Sequence, residues 1–250
     1  MSANRRVWPP QGPCFAPRLG EYLARLEQAP LSSLLARPDA LARAFRRASE
    51  LLSLDVECLD VPAAWILRSA GWPATVGERG IALGSQPAAL RAPAETIDCG
   101  PLLAAREALR SLPPSNTPRT TLIALPSPAV LTQATAGRAD WARAMVQALV
   151  RSFGESGIPA GVLFDEDDGV TELGRLLDHY QLAPICVRRS QDARPVPSGA
   201  MVARALPLVA LTGGAPGSLG TDALVTTDGP VASEVAPEDL LRAARTVAIR

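Results

Sequence analysis

An acidic cluster directly after a short apolar run is the first candidate for chemistry in this sequence. The run is Gly161–Phe164, residues 165–168 are all acidic, and Gly169 then interrupts the chain. In an alternating strand–helix chain, this pattern predicts a buried strand that delivers carboxylates to the carboxyl end of a sheet. Closely spaced carboxylates repel, so one can acquire a raised pKa and act as an acid or base. We name Asp165 and Glu166 as catalytic candidates; the alternative is a solvated first turn of a helix.

Two further groups of polar side chains follow predicted strands. Asp60 ends one strand, and it is either a second catalytic carboxylate or a cap for the helix that Pro62 opens. Arg188 and Arg189 end another strand, where guanidinium groups could bind a substrate anion or stabilise an oxyanion. A salt bridge to the acidic cluster is the alternative for these arginines. Cys14 lies in a proline-rich segment and is a weaker candidate for facing a substrate cavity.

The composition excludes several classes of protein. The 250 residues include 25 basic and 25 acidic side chains, so the chain lacks the positive field that nucleic-acid or anionic-membrane binding needs. All basic residues are arginine, which excludes a lysine Schiff base and a P-loop lysine. The one histidine, His179, lies in a predicted helix, which argues against a Ser-His-Asp or Cys-His arrangement.

The cysteines and the chain start bear on cellular location. The four cysteines are widely spaced and form no CxxC motif, so reduced and mostly buried thiols are expected. The first residues contain no apolar signal region, and no apolar run reaches the length of a membrane span. We therefore expect a soluble cytoplasmic protein that acts on a small molecule, with no membrane or nucleic-acid partner.

The elements that must position these residues alternate between strand and helix. Residues 1–17 contain four prolines and are predicted to form an irregular arm, and residues 18–250 are predicted to form one domain. Predicted helices begin near residues 19, 38, 62, 101, 140, 170 and 237, with an N-cap near Asp140. Predicted strands cover 55–60, 120–125, 161–164, 184–188, 206–211 and 223–227, with a ribbon near 74–83. This alternation predicts an α/β fold with a parallel sheet, and the absence of GxGxxG favours a (β/α)8 barrel over a doubly wound sheet.

Blocks along nearly the whole chain resemble the uroporphyrinogen decarboxylase family in the same order. The superfamily is a (β/α)8-barrel group that also contains corrinoid-linked and zinc-dependent methyltransferases, including those related to cobalamin-independent methionine synthase. The matching blocks are Val7-Trp8 with Leu19-Gly20-Glu21-Tyr22 ("VW…LPEY"), residues 34–39 ("ELCRNPE"), 54–61 ("LDAAIIFSDI"), 122–131 ("IGFVGGPWTL"), Phe164-Asp165 ("FDS") and 235–240 ("TPPENL").

The resemblance also shows where this chain departs from the family. Asp60 matches the aspartate of the "SDI" block. The family's decarboxylases hold substrate carboxylates with an arginine-bearing "RQAGR" loop, and the segment assigned to it here, residues 13–17, contains no arginine. The methyltransferase branch places a zinc-binding HxC motif where this chain has Arg188, Arg189 and Ser190. We therefore expect no metal and no cofactor.

These observations combine into one prediction with two alternatives. We predict a single TIM-type (β/α)8 barrel, shorter than typical members, that works as a metal-independent lyase or decarboxylase on a small anionic or polar metabolite. The two arginines would hold the anion, and the carboxylates of Asp60, Asp165 and Glu166 would transfer protons. The alternatives are a methyl or alkyl transferase with a corrinoid or thiol partner, and a non-catalytic binding protein. A homodimer is implied by the family resemblance alone.

Overall fold

The computed structural model describes most of the chain as strands and helices that alternate in sequence. The described residues are 14–54, 56–76, 81–112, 120–165, 170–189, 200–206, 224–227, 231 and 235–248. The strands are β1 Cys14–Ala16, β2 Val56–Asp60, β3 Ala74–Val76, β4 Ile81–Leu83, β5 Thr120–Leu125, β6 Gly161–Phe164, β7 Ala183–Arg189, β8 Met201–Leu206 and β9 Leu224–Thr227.

Helices connect most of these strands. They are α1 Tyr22–Leu26, α2 Leu31–Ala36, α3 Pro38–Leu51, α4 Ala63–Ser69, α5 Pro93–Thr96, α6 Gly100–Arg110, α7 Pro128–Ala134, α8 Ala139–Gly154, α9 Val170–Tyr180 and α10 Pro237–Ala248. Proline occupies the first turn of several of them, where its missing N–H has no intrahelical partner to lose. Among the described helices, none is long and apolar enough to cross a membrane.

Seven of the strands form one parallel sheet in the order β1-β9-β8-β7-β6-β5-β2, and β3 and β4 form a separate antiparallel hairpin. From β2 to β9 each strand of the sheet lies beside the next one in the chain, and the first strand pairs with the last. A doubly wound sheet would instead reverse its order. The two edge strands approach each other at one isolated parallel bridge, between Arg18 and Cys58.

The structure thus establishes a mixed α/β fold built on a parallel sheet. Between the described parts of β1 and β2, pairing is limited to the Arg18–Cys58 bridge. The described strands show a seven-stranded parallel sheet. The eight-stranded closed barrel that the sequence predicts stays a prediction.

The sheet buries apolar side chains on both faces, as the near-continuous apolar strands predict. One face forms an inner cluster of small and branched residues: Cys14, Ala16, Val56, Cys58, Leu122, Ala124, Leu163, Ile185, Ala203 and Leu224. The other face packs against the helices in a larger outer cluster. Because successive side chains of a strand point to opposite faces, Asp60 shares the face of Val56 and Cys58. Its carboxyl group therefore lies on the inner side of the sheet, at the carboxyl end of β2.

Most predicted elements lie where the sequence predicts them. Helices α2 and α5 were not predicted, and other elements differ as follows. The last part of the expected irregular arm contains strand β1. This strand was not predicted because its three residues lie between prolines and are too few to show an apolar pattern. Residues 1–13 lie outside the described residues. Strand β8, Met201–Leu206, begins before the strand expected at 206–211, and its apolar run is interrupted by Arg204; residues 207–211 are outside the described part. Asp140 lies in the first turn of α8, and Arg138 takes the cap position instead.

Candidate active site

Arg18 lies at the centre of the candidate site, and its backbone is fixed to the end of the last strand. The Arg18 N–H donates to Thr227 Oγ1 at 3.2 Å, and the Arg18 carbonyl accepts from the Val231 N–H at 2.9 Å. Its side chain is only 5% exposed. A long cationic side chain is rarely buried so completely unless it is paired. The site is therefore built around a guanidinium that needs carboxylate partners.

Two of the predicted carboxylates are those partners. Arg18 Nε donates to Asp60 Oδ1 at 2.8 Å, and a terminal nitrogen of the same group lies 2.7 Å from that oxygen. The other edge of the guanidinium faces Asp165: Nη1 donates to Oδ1, and Nη2 donates to Oδ2 at 3.4 Å. The Asp60 side chain is fully buried, whereas 33% of the Asp165 side chain is exposed. The structure thus brings together Asp60 and Asp165, from the ends of β2 and β6, through Arg18.

Asp60 keeps one carboxyl oxygen outside this network. Oδ2 is buried and has no hydrogen-bond partner among the described residues. Gly20 covers it closely: a Cβ on Gly20 would lie 2.9 Å from Asp60 Oδ2, and the positive φ of 30° also favours glycine there. The Asp60 carboxyl is therefore enclosed on one side by Arg18 and on the other by a backbone that only glycine allows.

One guanidinium serving two carboxylates sets the electrostatics of the site. Burial raises the pKa of Asp60; the charge and hydrogen bond of Arg18 oppose this, and the negative charge of Asp165 adds to it. Burial alone would lower the pKa of Arg18, but Asp60 and Asp165 outweigh burial and raise it, so the guanidinium stays charged. Burial, followed by the charge of Asp60, raises the pKa of the Cys58 thiol. Cys58 is thus an inert thiol and not a nucleophile.

The remaining predicted site residues are placed apart from this cluster or outside the described atoms. Cys14 packs in the inner cluster. Arg188 is 6% exposed and shares a face of β7 with Cys186, which belongs to the outer, helix-facing cluster. The backbone of Arg189 ends β7, but its side chain is outside the described atoms, as is the whole of Glu166. The proposed roles of these residues stay predictions.

Arg18 is a site residue that was not predicted from the sequence. The segment that resembles the family's arginine-bearing loop was taken as residues 13–17, which contain no arginine. The next residue is an arginine, directly before the Leu19-Gly20-Glu21-Tyr22 block. Extending the resembling segment by one residue would have included Arg18.

Zinc does not fit the described residues of this site. No group of three or more His, Cys, Asp or Glu side chains that could hold a metal ion occurs within the described ranges. At the positions where the resemblance places zinc ligands, the chain has Arg188 and Arg189, and a guanidinium has no lone pair to give to a metal.

Comparisons with known proteins agree with the fold and leave the family open. No family model matches the chain, and no curated protein sequence matches it. Twenty-two chains of solved structures match. One is a methyltransferase from Methanosarcina mazei, with a TM-score of 0.71 and 12% sequence identity over 97% of this chain and 95% of that chain. At this identity the likeness shows a shared fold.

This comparison contradicts the leading functional prediction from the sequence. A lyase or decarboxylase was expected, whereas one of the similar structures is a methyltransferase, which favours the alternative of methyl transfer. The lyase prediction depended on the loss of zinc ligands at Arg188 and Arg189. The loss of these ligands argues against a zinc centre, but it does not favour decarboxylation over methyl transfer.

Proposed function

We propose that this protein is an enzyme that transfers a methyl or alkyl group between a carrier and a small polar molecule. The observation that carries the proposal is the buried Arg18 guanidinium held between Asp60 and Asp165 at the carboxyl ends of parallel strands, where α/β folds place their sites. The likeness over nearly the whole chain to a methyltransferase supports this choice of reaction.

We further propose that the sheet is a (β/α)8-type barrel of the uroporphyrinogen decarboxylase-like superfamily. In the hydrogen-bonded order, four strand-to-strand steps separate β1 from β6. In a flat sheet these steps would amount to roughly 19 Å, farther than an arginine side chain reaches. Arg18, which follows β1, nevertheless binds Asp165, which follows β6. A sheet curled into a barrel accounts for this contact.

Asp165 is the proposed proton acceptor. When a methyl group moves to a thiol, amine or hydroxyl, the bond from carrier to methyl breaks, the bond from methyl to heteroatom forms, and the heteroatom must release its proton. Asp165 is partly exposed and can contact a bound molecule, while Arg18 fixes its orientation and Asp60 fixes Arg18. By position, Glu166 and Arg189 stay candidates for contacts to the same molecule.

Two kinds of methyl carrier are compatible with this proposal, a corrinoid and a methylated thiol. A corrinoid supplies a methyl group bound to cobalt, and the thiol carrier supplies one bound to sulfur. The role of Asp165 as proton acceptor is the same with either carrier. A transfer assay with each carrier distinguishes them.

The assay measures transfer from each carrier by the purified protein. Methylcobalamin is followed by its change in visible absorbance, and a methylated thiol by mass spectrometry of the products formed with thiol, amine and hydroxyl acceptors. We expect transfer from one carrier and a loss of about 10²-fold or more in Asp165→Asn, because a positioned base contributes that much. Asp98→Asn is the matched control, since Asp98 also pairs with an arginine, Arg106, but is largely exposed. Absence of transfer from both carriers would refute the proposal.

A second candidate is a binding protein that has kept the fold without the chemistry. The burial of both Arg18 and Asp60 favours it, because a fully paired ion cluster can serve as a structural brace. The same variants distinguish the candidates. A brace predicts that Asp165→Asn binds its ligand as the wild type does, and that no product forms in either protein.

A further inference from the structure

Thr227, at the end of β9, accepts a hydrogen bond from the backbone N–H of Arg18. We propose that this hydroxyl group positions the Arg18 guanidinium for its contact with Asp165, so that Thr227 is a positioning residue of the candidate site. The inference rests on the proposed function for its effect on turnover. Its first test uses the resting protein alone.

Regular strand pairing with β9 does not reach Arg18. The described ladder between β1 and β9 ends at the pair of Ala16 and Thr226, two residues before Arg18. Beyond it, the Arg18 N–H donates to Thr227 Oγ1 at 3.2 Å, and the Arg18 carbonyl accepts from the Val231 N–H at 2.9 Å. The Thr227 hydroxyl therefore provides the acceptor that a paired strand would otherwise provide. Thr227 is buried, so loss of its hydroxyl would leave the Arg18 N–H without a partner, which is costly.

Asp60 alone does not fix the direction of the Arg18 side chain. Arg18 Nε and a terminal nitrogen both contact the same atom, Asp60 Oδ1, at 2.8 and 2.7 Å. A group that is bound to one atom can pivot about it. The backbone of Arg18 is the second fixed point, and Thr227 holds this backbone. Together the two points determine how far the terminal nitrogens extend toward Asp165.

The contact between Arg18 and Asp165 allows little displacement. Nη1 donates to Oδ1, and Nη2 donates to Oδ2 at 3.4 Å, so the pair is bidentate. Bidentate pairing fixes the plane of a carboxylate more strictly than one hydrogen bond does. Because a separation of about 3.6 Å is no longer a hydrogen bond, a small shift of the Arg18 backbone would break the longer contact. Asp165, the proposed proton acceptor, could then rotate.

The experiment measures the exchange of the Arg18 Nε–H with water by NMR of the resting protein. This group donates to the fully buried Asp60, so its resonance should be protected, and through-bond correlation to the Arg18 backbone assigns it. Thr227→Val keeps the shape of the side chain and removes the hydroxyl. We expect it to speed the exchange by about tenfold, which corresponds to the loss of one buried hydrogen bond. Thr227→Ser keeps the hydroxyl and should restore the wild-type rate.

Thr226→Val is the matched control. Thr226 is fully buried, and its Oγ1 donates to the carbonyl of Ala16 at 2.8 Å. This variant therefore also removes a threonine hydroxyl that joins β9 to β1, but it keeps the hydrogen bond to Arg18. The exchange should change less than in Thr227→Val, and circular dichroism verifies that each variant folds. If Thr227→Val does not fold, Thr227→Cys should speed the exchange by a smaller factor, because a thiol is a weak acceptor.

The effect on turnover is measured with the carrier that the protein uses. Thr227→Val should lower kcat by about tenfold, because a base that is out of position takes up the proton less readily. KM should change little, since Thr227 contacts the Arg18 backbone and acts on Asp165 only through that residue. Thr227→Ser should recover kcat.

Two results would overturn the inference. One is an exchange rate in folded Thr227→Val, or in Thr227→Cys where it is used instead, equal to that in wild type. The other is an equal acceleration in Thr226→Val, which would make Thr227 one of several equivalent contacts between β1 and β9. Because no methyl carrier is present, a failure of the methyl-transfer assay leaves the NMR result unchanged. If the exchange behaves as expected while neither carrier is used, the proposed function fails and the positioning of Arg18 by Thr227 remains.

Discussion

The guanidinium of Arg18 binds the carboxylate of Asp165 although their strands lie four steps apart in the order of the sheet. The same guanidinium binds Asp60, at the end of the other edge strand, β2. The Arg18 side chain therefore joins the ends of β1, β2 and β6. Between β1 and β2, backbone pairing is limited to one bridge in the described part of the chain. Substitutions in the cluster should affect both stability and chemistry, and matched control variants separate the two effects.

Replacing Arg18 should destabilise the protein strongly. Arg18→Ala leaves the fully buried Asp60 without its cation, and breaking a buried pair on one side costs about 3–5 kcal/mol. Urea unfolding measures the loss. Arg43→Ala, which removes the exposed pair with Asp39, should cost far less, because exposed ion pairs contribute little to stability. Equal losses in the two variants would show that the Arg18 cluster does not hold the strand ends together.

Adding a methyl group at Gly20 should also destabilise the protein. In Gly20→Ala the new Cβ would lie 2.9 Å from Asp60 Oδ2, in a backbone conformation with φ +30°. We expect a loss of about 1–3 kcal/mol, from both the contact and the backbone strain. Gly137→Ala is the matched control, since Gly137 has φ +94° and a Cβ added there would meet nothing within 4 Å. If Gly137→Ala costs as much as Gly20→Ala, the contact with Asp60 contributes nothing.

The stability should depend on pH through Asp60. Its pKa in the folded protein is raised above the ordinary value of 3.8, so the folded state binds this proton more tightly than the unfolded state. The resulting stabilisation is complete below that value and is lost as the pH rises through the folded pKa. Glu21 contributes with the same sign, since its pKa is also raised. The free energy of unfolding should therefore fall with rising pH less steeply in Asp60→Asn than in wild type or Asp98→Asn; equal slopes would contradict the raised pKa.

The described cysteines should differ in reactivity toward a thiol reagent. Cys58 is fully buried and burial raises its pKa, so its thiol should not react while the protein is folded. Cys99 is partly exposed and should react before Cys58. Peptide mapping after brief labelling identifies the modified positions, and Cys99→Ser serves as the control. Labelling of Cys58 in folded Cys99→Ser would show that the inner face beside Asp60 is open.

The sequence predicted the elements that are long or bounded by proline. Strand β5 and helix α3 have clear apolar patterns and proline boundaries, and they appear where expected. Strand β1 could not be predicted, because its three residues are held by pairing with β9, which is more than two hundred residues away in sequence. Long-range pairing of this kind leaves no local pattern.

The candidate site was predicted in part, for a related reason. Asp60 and Asp165 each end an apolar run, and parallel strands bring such ends to the same edge of the sheet. The pairing partner, Arg18, follows a strand too short to recognise, so the strand pattern alone did not assign its guanidinium to the site. Along β7, the alternation places Arg188 on the face of Cys186, which belongs to the outer, helix-facing cluster.

Transfer of a deuterium-labelled methyl group measures the proposed reaction and the role of Asp165 in one experiment. Wild type, Asp165→Asn and Asp98→Asn would each be given labelled methylcobalamin or a labelled methyl thioether, with product measured by mass spectrometry. If Asp165 accepts the proton, labelled product should form from one carrier in wild type and Asp98→Asn, and the rate should be about 10²-fold lower in Asp165→Asn. Labelled product at an unchanged rate in Asp165→Asn, or none in wild type from either carrier, would contradict the proposal.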